Sequence, residues 1–280
     1  MSANVAASTR IQETFDRAKA ENRAAMMPFV TAGYPSLEIS GQLLDALVEG
    51  GADIIELGVP FSDPLADGAT VQASSQKALE NGTTLADCIE LVRTFRTRGG
   101  TIPILLMGYV NPFYQYGIER LAREAAEAGI DGFLIPDLPS DESEEFQAPL
   151  RAQGLDLIYF LAPTSTERRI ADVASRATGF LYCVALTGVT GARDQMAEEL
   201  PEYIAGIRQA TDLPLTVGFG ISKPEHVAAV AQFADGVVVA SALINHLDTL
   251  PTEDQPDGAR SFVRQLAAAT HRAPHETSRG

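Results

Sequence analysis

A chain of 280 residues with 45% hydrophobic and 21% charged residues has enough apolar material for a full core, and its apolar runs all fall short of the roughly 18 residues that a membrane span needs. Its formal charge of −16 argues against non-specific binding to nucleic acid or anionic membranes, because both rest on Lys and Arg neutralising phosphates. Cys88 and Cys183 are too few for a disulfide framework and read as reduced structural thiols.

Met1 to Arg10 is small and polar and lacks the apolar core of a secretory signal, so the expected compartment is the cytoplasm. Residues 11–25 read as an amphipathic helix ahead of a first strand at 26–33. Helical periodicity continues through Leu43, Leu44, Leu47 and Val48 and stops at Gly50-Gly51. A second strand runs from Asp53 to Val59, and a long loop leads to a helix at 85–98. The third strand, 102–109, opens into an unusually aromatic loop from Val110 to Gly117, before a helix at 118–128 that ends on Gly129. Further strands are expected at 132–137, 155–161, 180–186, 214–219 and 236–240, separated by helices at 143–152, 167–176, 200–211 and 226–233. A last helix covers 258–269. Eight strand-and-helix alternations without a hairpin signal predict an α/β protein, an eight-stranded parallel TIM barrel with an N-terminal extra helix. The expectation is one domain over 1–280, with disordered tails at 1–10 and 271–280. A doubly wound open sheet would carry a glycine-rich dinucleotide fingerprint after its first strand, and none is present.

The chemistry is expected around the second strand, in the stretch DIIELGVPFSDPLADGAT from Asp53 to Thr70. Period-two alternation puts Ile55, Leu57 and Val59 on one face and Ile54, Glu56 and Gly58 on the other. If the first face packs on helices, Glu56 points into the barrel. A carboxylate there costs several kcal/mol unless it is hydrogen-bonded, paired or protonated, which predicts a raised pKa and suits a general acid/base, the alternative being a buried glutamate paired structurally. Asp67, beside Gly68 in the loop at the strand's carboxyl end, reads either as the cap of a following helix or as a second chemical group. Tyr182 shares a strand face with Phe180 and Val184, so it should point inward as a core aromatic or as a site residue.

The lysines, Lys19, Lys77 and Lys223, do not end apolar strands, so a Schiff-base aldolase has no candidate nucleophile. The four histidines lie outside strands and no two stand at ligand spacing, which argues against a histidine-built metal site. Glycine-bearing segments at the ends of the sixth and seventh strands, Gly188 to Gly191 and Gly218 to Gly220, together with Ala240-Ser241 after the eighth, either turn the chain or let backbone N–H groups approach an anion. In a barrel, that placement favours a phosphate held by neutral amides.

Five segments together resemble the tryptophan synthase alpha chain family: PFVTAGYP (Pro28 to Pro35), ELGVPFSDPLADG (Glu56 to Gly68), YVNPFYQYG (Tyr109 to Gly117), LTGVTGAR (Leu186 to Arg193) and GFGIS (Gly218 to Ser222). The resemblance spans Met26 to Ile244. It implies a lyase of tryptophan biosynthesis that cleaves indole-3-glycerol phosphate to indole and glyceraldehyde 3-phosphate without metal or organic cofactor. Carried over by position, Glu56 is the general acid/base, Asp67 the second catalytic carboxylate that holds the ring N–H, and Tyr182 the active-site tyrosine. Phe29 lines the indole pocket, and Thr190, Gly191, Gly220, Ala240 and Ser241 take the phosphate end. Ala240 departs from the glycine common there, and Ala185 and Leu186 replace a common polar pair. The resemblance further implies a tryptophan synthase beta chain as partner, with pyridoxal phosphate on that partner and an α2β2 heterotetramer. Pro60, Asp63, Pro112 and Phe113 are the expected contacts, the alternative being that the aromatic residues pack on their own barrel. Other readings are a stand-alone indole lyase, a silent phosphate-binding regulatory subunit, which intact Glu56 and Asp67 oppose, and a neighbouring barrel such as indole-glycerol-phosphate synthase, whose strand-end lysines are missing.

Overall fold

The computed structural model describes residues 9–184, 192–218 and 220–273. Strands β1 (Ala25–Thr31), β2 (Ile55–Gly58), β3 (Ile104–Met107), β4 (Gly132–Leu134), β5 (Asp156–Leu161), β6 (Leu181–Val184), β7 (Leu215–Gly218) and β8 (Gly236–Val239) pair in parallel in sequence order, and β8 returns to β1 to close the barrel. Helices wrap it in chain order: α1 (Thr9–Ala20), α2 (Leu37–Gly50), α3 (Ala69–Glu80), α4 (Leu85–Thr97), α5 (Val110–Tyr116), α6 (Ile118–Ala128), α7 (Glu144–Ala152), α8 (Glu167–Arg176), α9 (Ala192–Arg208), α10 (Pro224–Ala231), α11 (Ser241–Leu247) and α12 (Gln255–Ala268).

Alternation along each strand divides the core in two. Ile55 and Leu57 pack outward against helices, whereas Ile54 joins Met27, Leu105, Leu134, Ile158, Phe180 and Val238 inside the barrel. The expected facing of β2, with Glu56 inward, is therefore what the chain adopts. Helix α1 plugs the amino end: Ile11, Phe15 and Ala18 recur at helical spacing and join the inner cluster, with the Phe15 ring 5.6 Å from Phe180.

Three aspartates just ahead of β2, β4 and β8 fasten that end. Asp53 accepts from the Met26 N–H at 2.8 Å and from both terminal nitrogens of Arg23 at 2.6 and 2.8 Å. Asp131 accepts from the Ile104 N–H at 2.9 Å, from Arg96 at 2.8 Å and from Arg10 at 2.7 Å. Asp235 accepts from the Leu215 N–H at 2.9 Å and pairs with Arg208 and Arg272. Each carboxylate satisfies an amide near the start of the preceding strand, which no helix or hairpin would reach.

The structure departs from the sequence reading in several places, among them helix α11, which the reading leaves without an element, and α9, which begins at Ala192 rather than near residue 200. Ala25 belongs to β1, because the first helix ends at Ala20 and Asn22 turns the chain with φ 51°. Helix α3 occupies what reads as loop; its buried face is Val71, Ser74, Ser75 and Ala78, too polar to show an apolar stripe. The aromatic loop is the short helix α5, whose Pro112 falls in the first turn, where no N–H is needed. The chain ends are held where described: Arg10 binds Asp131, His271 bridges Arg23, and Arg272 donates to the carbonyls of Ala231 and Ala234 at 2.8 and 2.9 Å.

Candidate active site

Strand register brings Glu56 between Phe29 on β1 and Leu105 on β3. Its side chain is 1% exposed, and Oε1 has no hydrogen-bond partner among the described residues. Burial alone pushes the carboxyl up to about 8, so it is protonated at neutral pH. Tyr182 enters the same space from β6, its ring 4.9 Å from Phe160. Burial first, then the carboxylates of Glu56 and Asp67, drive its phenol well above the ordinary range. Two glycines make room for the rings. A Cβ on Gly58 would stand 2.5 Å from the Phe29 ring, and one on Gly218 would stand 2.0 Å from the Tyr182 hydroxyl.

Asp67 reaches this space from the loop after β2. Gly68, not Asp67, is the N-cap residue of α3, and no side chain caps that helix, so the capping reading does not hold. Burial raises the Asp67 carboxyl to about 6, against a hydrogen bond from Tyr109 that lowers it. The loop is tied down by α3: Ser75 Oγ accepts from the Phe61 N–H at 2.8 Å and donates to the Phe61 carbonyl at 3.0 Å, and Gln72 donates to the Asp67 carbonyl at 2.8 Å. A cavity at the carboxyl end of the strands is lined by Phe29, Thr31, Gly58, Asp67, Met107 and Tyr109. Phe29 and Val71 on its lining form an apolar wall with Ile244 behind them, against which Tyr34, Met107 and Ala240 pack. The arrangement suits a flat apolar ring held near two carboxyl groups, of which one is protonated and the other ionised at neutral pH.

A family model described as tryptophan synthase alpha chain matches residues 15–274. The chain is 52% identical over 263 residues to the tryptophan synthase alpha chain of Chloroflexus aggregans, covering 94% of this chain and 98% of that one. It is 53% identical over 258 residues to that of Roseiflexus sp., covering 92% and 99%. The chain belongs to the tryptophan synthase alpha chain family. Among solved structures, subunit alpha from Legionella pneumophila superposes with a TM-score of 0.86 at 36% identity, covering 93% of this chain and 98% of that one. A chain of tryptophan synthase from M. tuberculosis gives 0.85 at 35% identity, with 94% and 99% covered. Members are lyases whose alpha subunit cleaves indole-3-glycerol phosphate, and the chain is such an enzyme.

The other positions that the family resemblance singles out divide by location. Gly220 is exposed with φ 44°, and a Cβ built there meets nothing within 4 Å. Ala240 precedes α11 and Ser241 is its first residue; the extra methyl of Ala240 packs into the apolar wall. Thr190 and Gly191, like Ala185 and Leu186, lie outside the described residues. Two of the expected partner contacts have buried side chains in this chain. Phe113 is fully buried, edge-on to Phe133 with centroids 5.4 Å apart, and Pro60 is buried just past the end of β2. Asp63 is exposed and Pro112 half-buried. Among the described residues the exposed large apolar side chains are Leu37, 37% exposed, Leu65, 93% exposed, and Tyr114, 54% exposed. Cys88 and Cys183 are buried and unpaired, as expected. No three His, Cys, Asp or Glu converge as metal donors, and no helix is long and apolar enough to cross a membrane, among the described residues. Tyr109, Ser75 and Gln72 are site residues that sequence reasoning missed; the spacing of Ser75 and Gln72 becomes informative once α3 is recognised.

Proposed function

We propose that Glu56 and Asp67 divide the cleavage of indole-3-glycerol phosphate between them. What supports this most is the buried inward-facing carboxyl of Glu56, whose Oε1 has no hydrogen-bond partner among the described residues and whose pKa burial pushes up to about 8, on the strand whose following loop brings Asp67 to the lining of the cavity. Glu56 gives its proton to the third carbon of the indole ring. Asp67 accepts the ring N–H and opposes the positive charge of the indolenine-like intermediate. The bond from ring to glyceryl chain then breaks as the Glu56 carboxylate takes the proton of the adjacent glyceryl hydroxyl, leaving indole and glyceraldehyde 3-phosphate. One proton is given and one recovered, so Glu56 returns to its starting state. The protonated ring itself accepts the bonding electrons, and the step calls for no metal or organic cofactor.

Phe29 packs on the indole ring and Tyr182 borders the reacting carbon. Amides at Thr190, Gly191, Gly220, Ala240 and Ser241 hold the phosphate. The chain acts as a subunit of a cytoplasmic α2β2 assembly, in which the beta chain carries pyridoxal phosphate and receives the indole. Asp63, Pro112, Leu65 and Tyr114 form its docking surface. Incubating the purified chain with indole-3-glycerol phosphate, with and without a beta chain, tests this: Glu56→Gln should lose on the order of 10² to 10⁴ in rate, and the beta chain should speed indole release by about tenfold or more. A Glu56→Gln enzyme that keeps half of its rate, or no response to the beta chain, would contradict the respective assignment.

A further inference from the structure

We propose that Thr70 and Tyr34 are positioning residues for the phosphate end of the substrate, holding helix α11 at a set rotation against the ring pocket. The inference rests on the assignment of the phosphate to Gly220, Ala240 and Ser241. Ser241, Asn245 and Asp248 stand at i, i+4 and i+7, and Asp248 keeps helical dihedrals (φ −65°, ψ −17°), so the three lie along one side of α11. Asn245 Oδ1 accepts from the Thr70 hydroxyl of α3 at 3.1 Å. Asp248 accepts from the Tyr34 phenol, on the loop after β1, at 2.5 Å. Burial of Leu243, Ile244 and Leu247 holds the helix down. Apolar packing has no direction, whereas hydrogen bonds do, so the two ties select the rotation that aims Ser241.

Both donors stand on elements that build the ring pocket. Thr70, Val71 and Gln72 follow one another at the start of α3: Thr70 reaches α11, Val71 lines the cavity, and Gln72 donates to the Asp67 carbonyl at 2.8 Å. The Tyr34 N–H donates at 3.2 Å to the carbonyl of Thr31, another lining residue, and the Tyr34 ring packs on the wall of Phe29, Val71 and Ile244. The loop that carries Tyr34 is itself fixed. Asn81 donates to the carbonyls of Gly33 and Pro35 at 3.1 and 2.6 Å, and the Gly33 N–H donates to Ser40 Oγ at 2.9 Å. Burial first, then the bond to Asp248, pushes the Tyr34 phenol up to about 12, so it stays a donor at neutral pH. A substrate that touches the ring pocket and Ser241 at once spans these ties, which therefore set the distance its three-carbon chain must bridge. Loosening them leaves each end's subsite intact and spoils their register.

Thr70→Val and Tyr34→Phe each remove one hydroxyl and keep the shape of the side chain. For cleavage of indole-3-glycerol phosphate, we expect kcat/KM to fall about threefold in each variant and about tenfold in the double variant. Thr70→Ser, which keeps the donor, should stay within about twofold of the wild type. Indole and glycerol 3-phosphate, used as separate competitive inhibitors, each engage one end only, and their inhibition constants should change less than about twofold in the double variant. The proposal is overturned if the double variant keeps kcat/KM within about twofold, or if Thr70→Ser loses as much as Thr70→Val. It is equally overturned if either inhibitor weakens as much as the whole substrate, which would mean damage to a subsite rather than to its placement. Ser241→Asp separates the two readings. A KM raised about tenfold there, beside an unaffected double variant, overturns only the ties, whereas an unchanged KM removes the phosphate from α11 and the proposal with it.

Discussion

Replacing Glu56 by Gln removes a carboxyl that the fold keeps protonated, and the change in stability should grow with pH. In the unfolded chain the group ionises near its ordinary value of 4.5, while in the native barrel burial holds it near 8. A carboxyl whose folded pKa is raised costs stability: almost nothing below 4.5, then about 1.4 kcal/mol for each pH unit above it, levelling off past about 8. Between pH 5 and pH 8 the wild type should therefore lose about 3 to 4 kcal/mol that the Gln variant does not lose. The amide has its own cost, an N–H group without a partner, on the order of 1–3 kcal/mol, but that cost does not depend on pH. The variant should be the less stable protein at pH 5 and match or exceed the wild type at pH 8. Reversible urea unfolding of both proteins at each half pH unit from 5 to 8 measures the difference directly. A gap that stays constant across that range would mean that Glu56 titrates in the barrel as it does in water, and the argument for a proton held ready by burial would be wrong.

Asp67, raised to about 6 by burial, should make kcat/KM fall as pH drops through about 6, because its protonated form no longer accepts the ring N–H; an acidic limb near 4 would refute that. Gly220→Asp should raise KM for the phosphate substrate by about tenfold or more while costing about 1–2 kcal/mol of stability, since the position is open, has φ 44°, and Asp is among the residues that tolerate that conformation; an unchanged KM would move the phosphate elsewhere. Asp53→Ala strips Arg23 and the Met26 N–H of their shared partner at the amino end, far from the chemistry. It should cost about 3–5 kcal/mol, or roughly 10 °C in melting temperature, with kcat of the folded enzyme unchanged, and calorimetry beside rate measurements distinguishes this from any catalytic role.

The alternation of β2 decides, from the sequence alone, that Glu56 faces inward, and eight strand-and-helix alternations decide that inward means a barrel. These are local properties: a period of two and a carboxylate among β-branched neighbours need no knowledge of what lies across the fold. Helix α6 and helix α8 were legible for the same reason, bounded by Gly117 and Gly129 or begun by Thr166, whose side chain accepts from the Arg169 N–H. What the sequence could not show depends on residues distant along the chain. Helix α3 buries Ser74 and Ser75 because Thr31 and Phe61 stand ready to hydrogen-bond them, so its inner face carries no apolar stripe. Phe113 reads as an exposed anchor until Phe133, on the neighbouring strand, is seen to enclose it. The bond from Tyr109 to Ala66 joins residues 43 apart in the chain, and nothing in either segment announces the other. A strand's facing is set by its own residues, whereas the raised carboxyl of Asp67 comes from burial and its loop is tied at the Ala66 N–H to a tyrosine just past the next strand, and only the closed barrel brings these together.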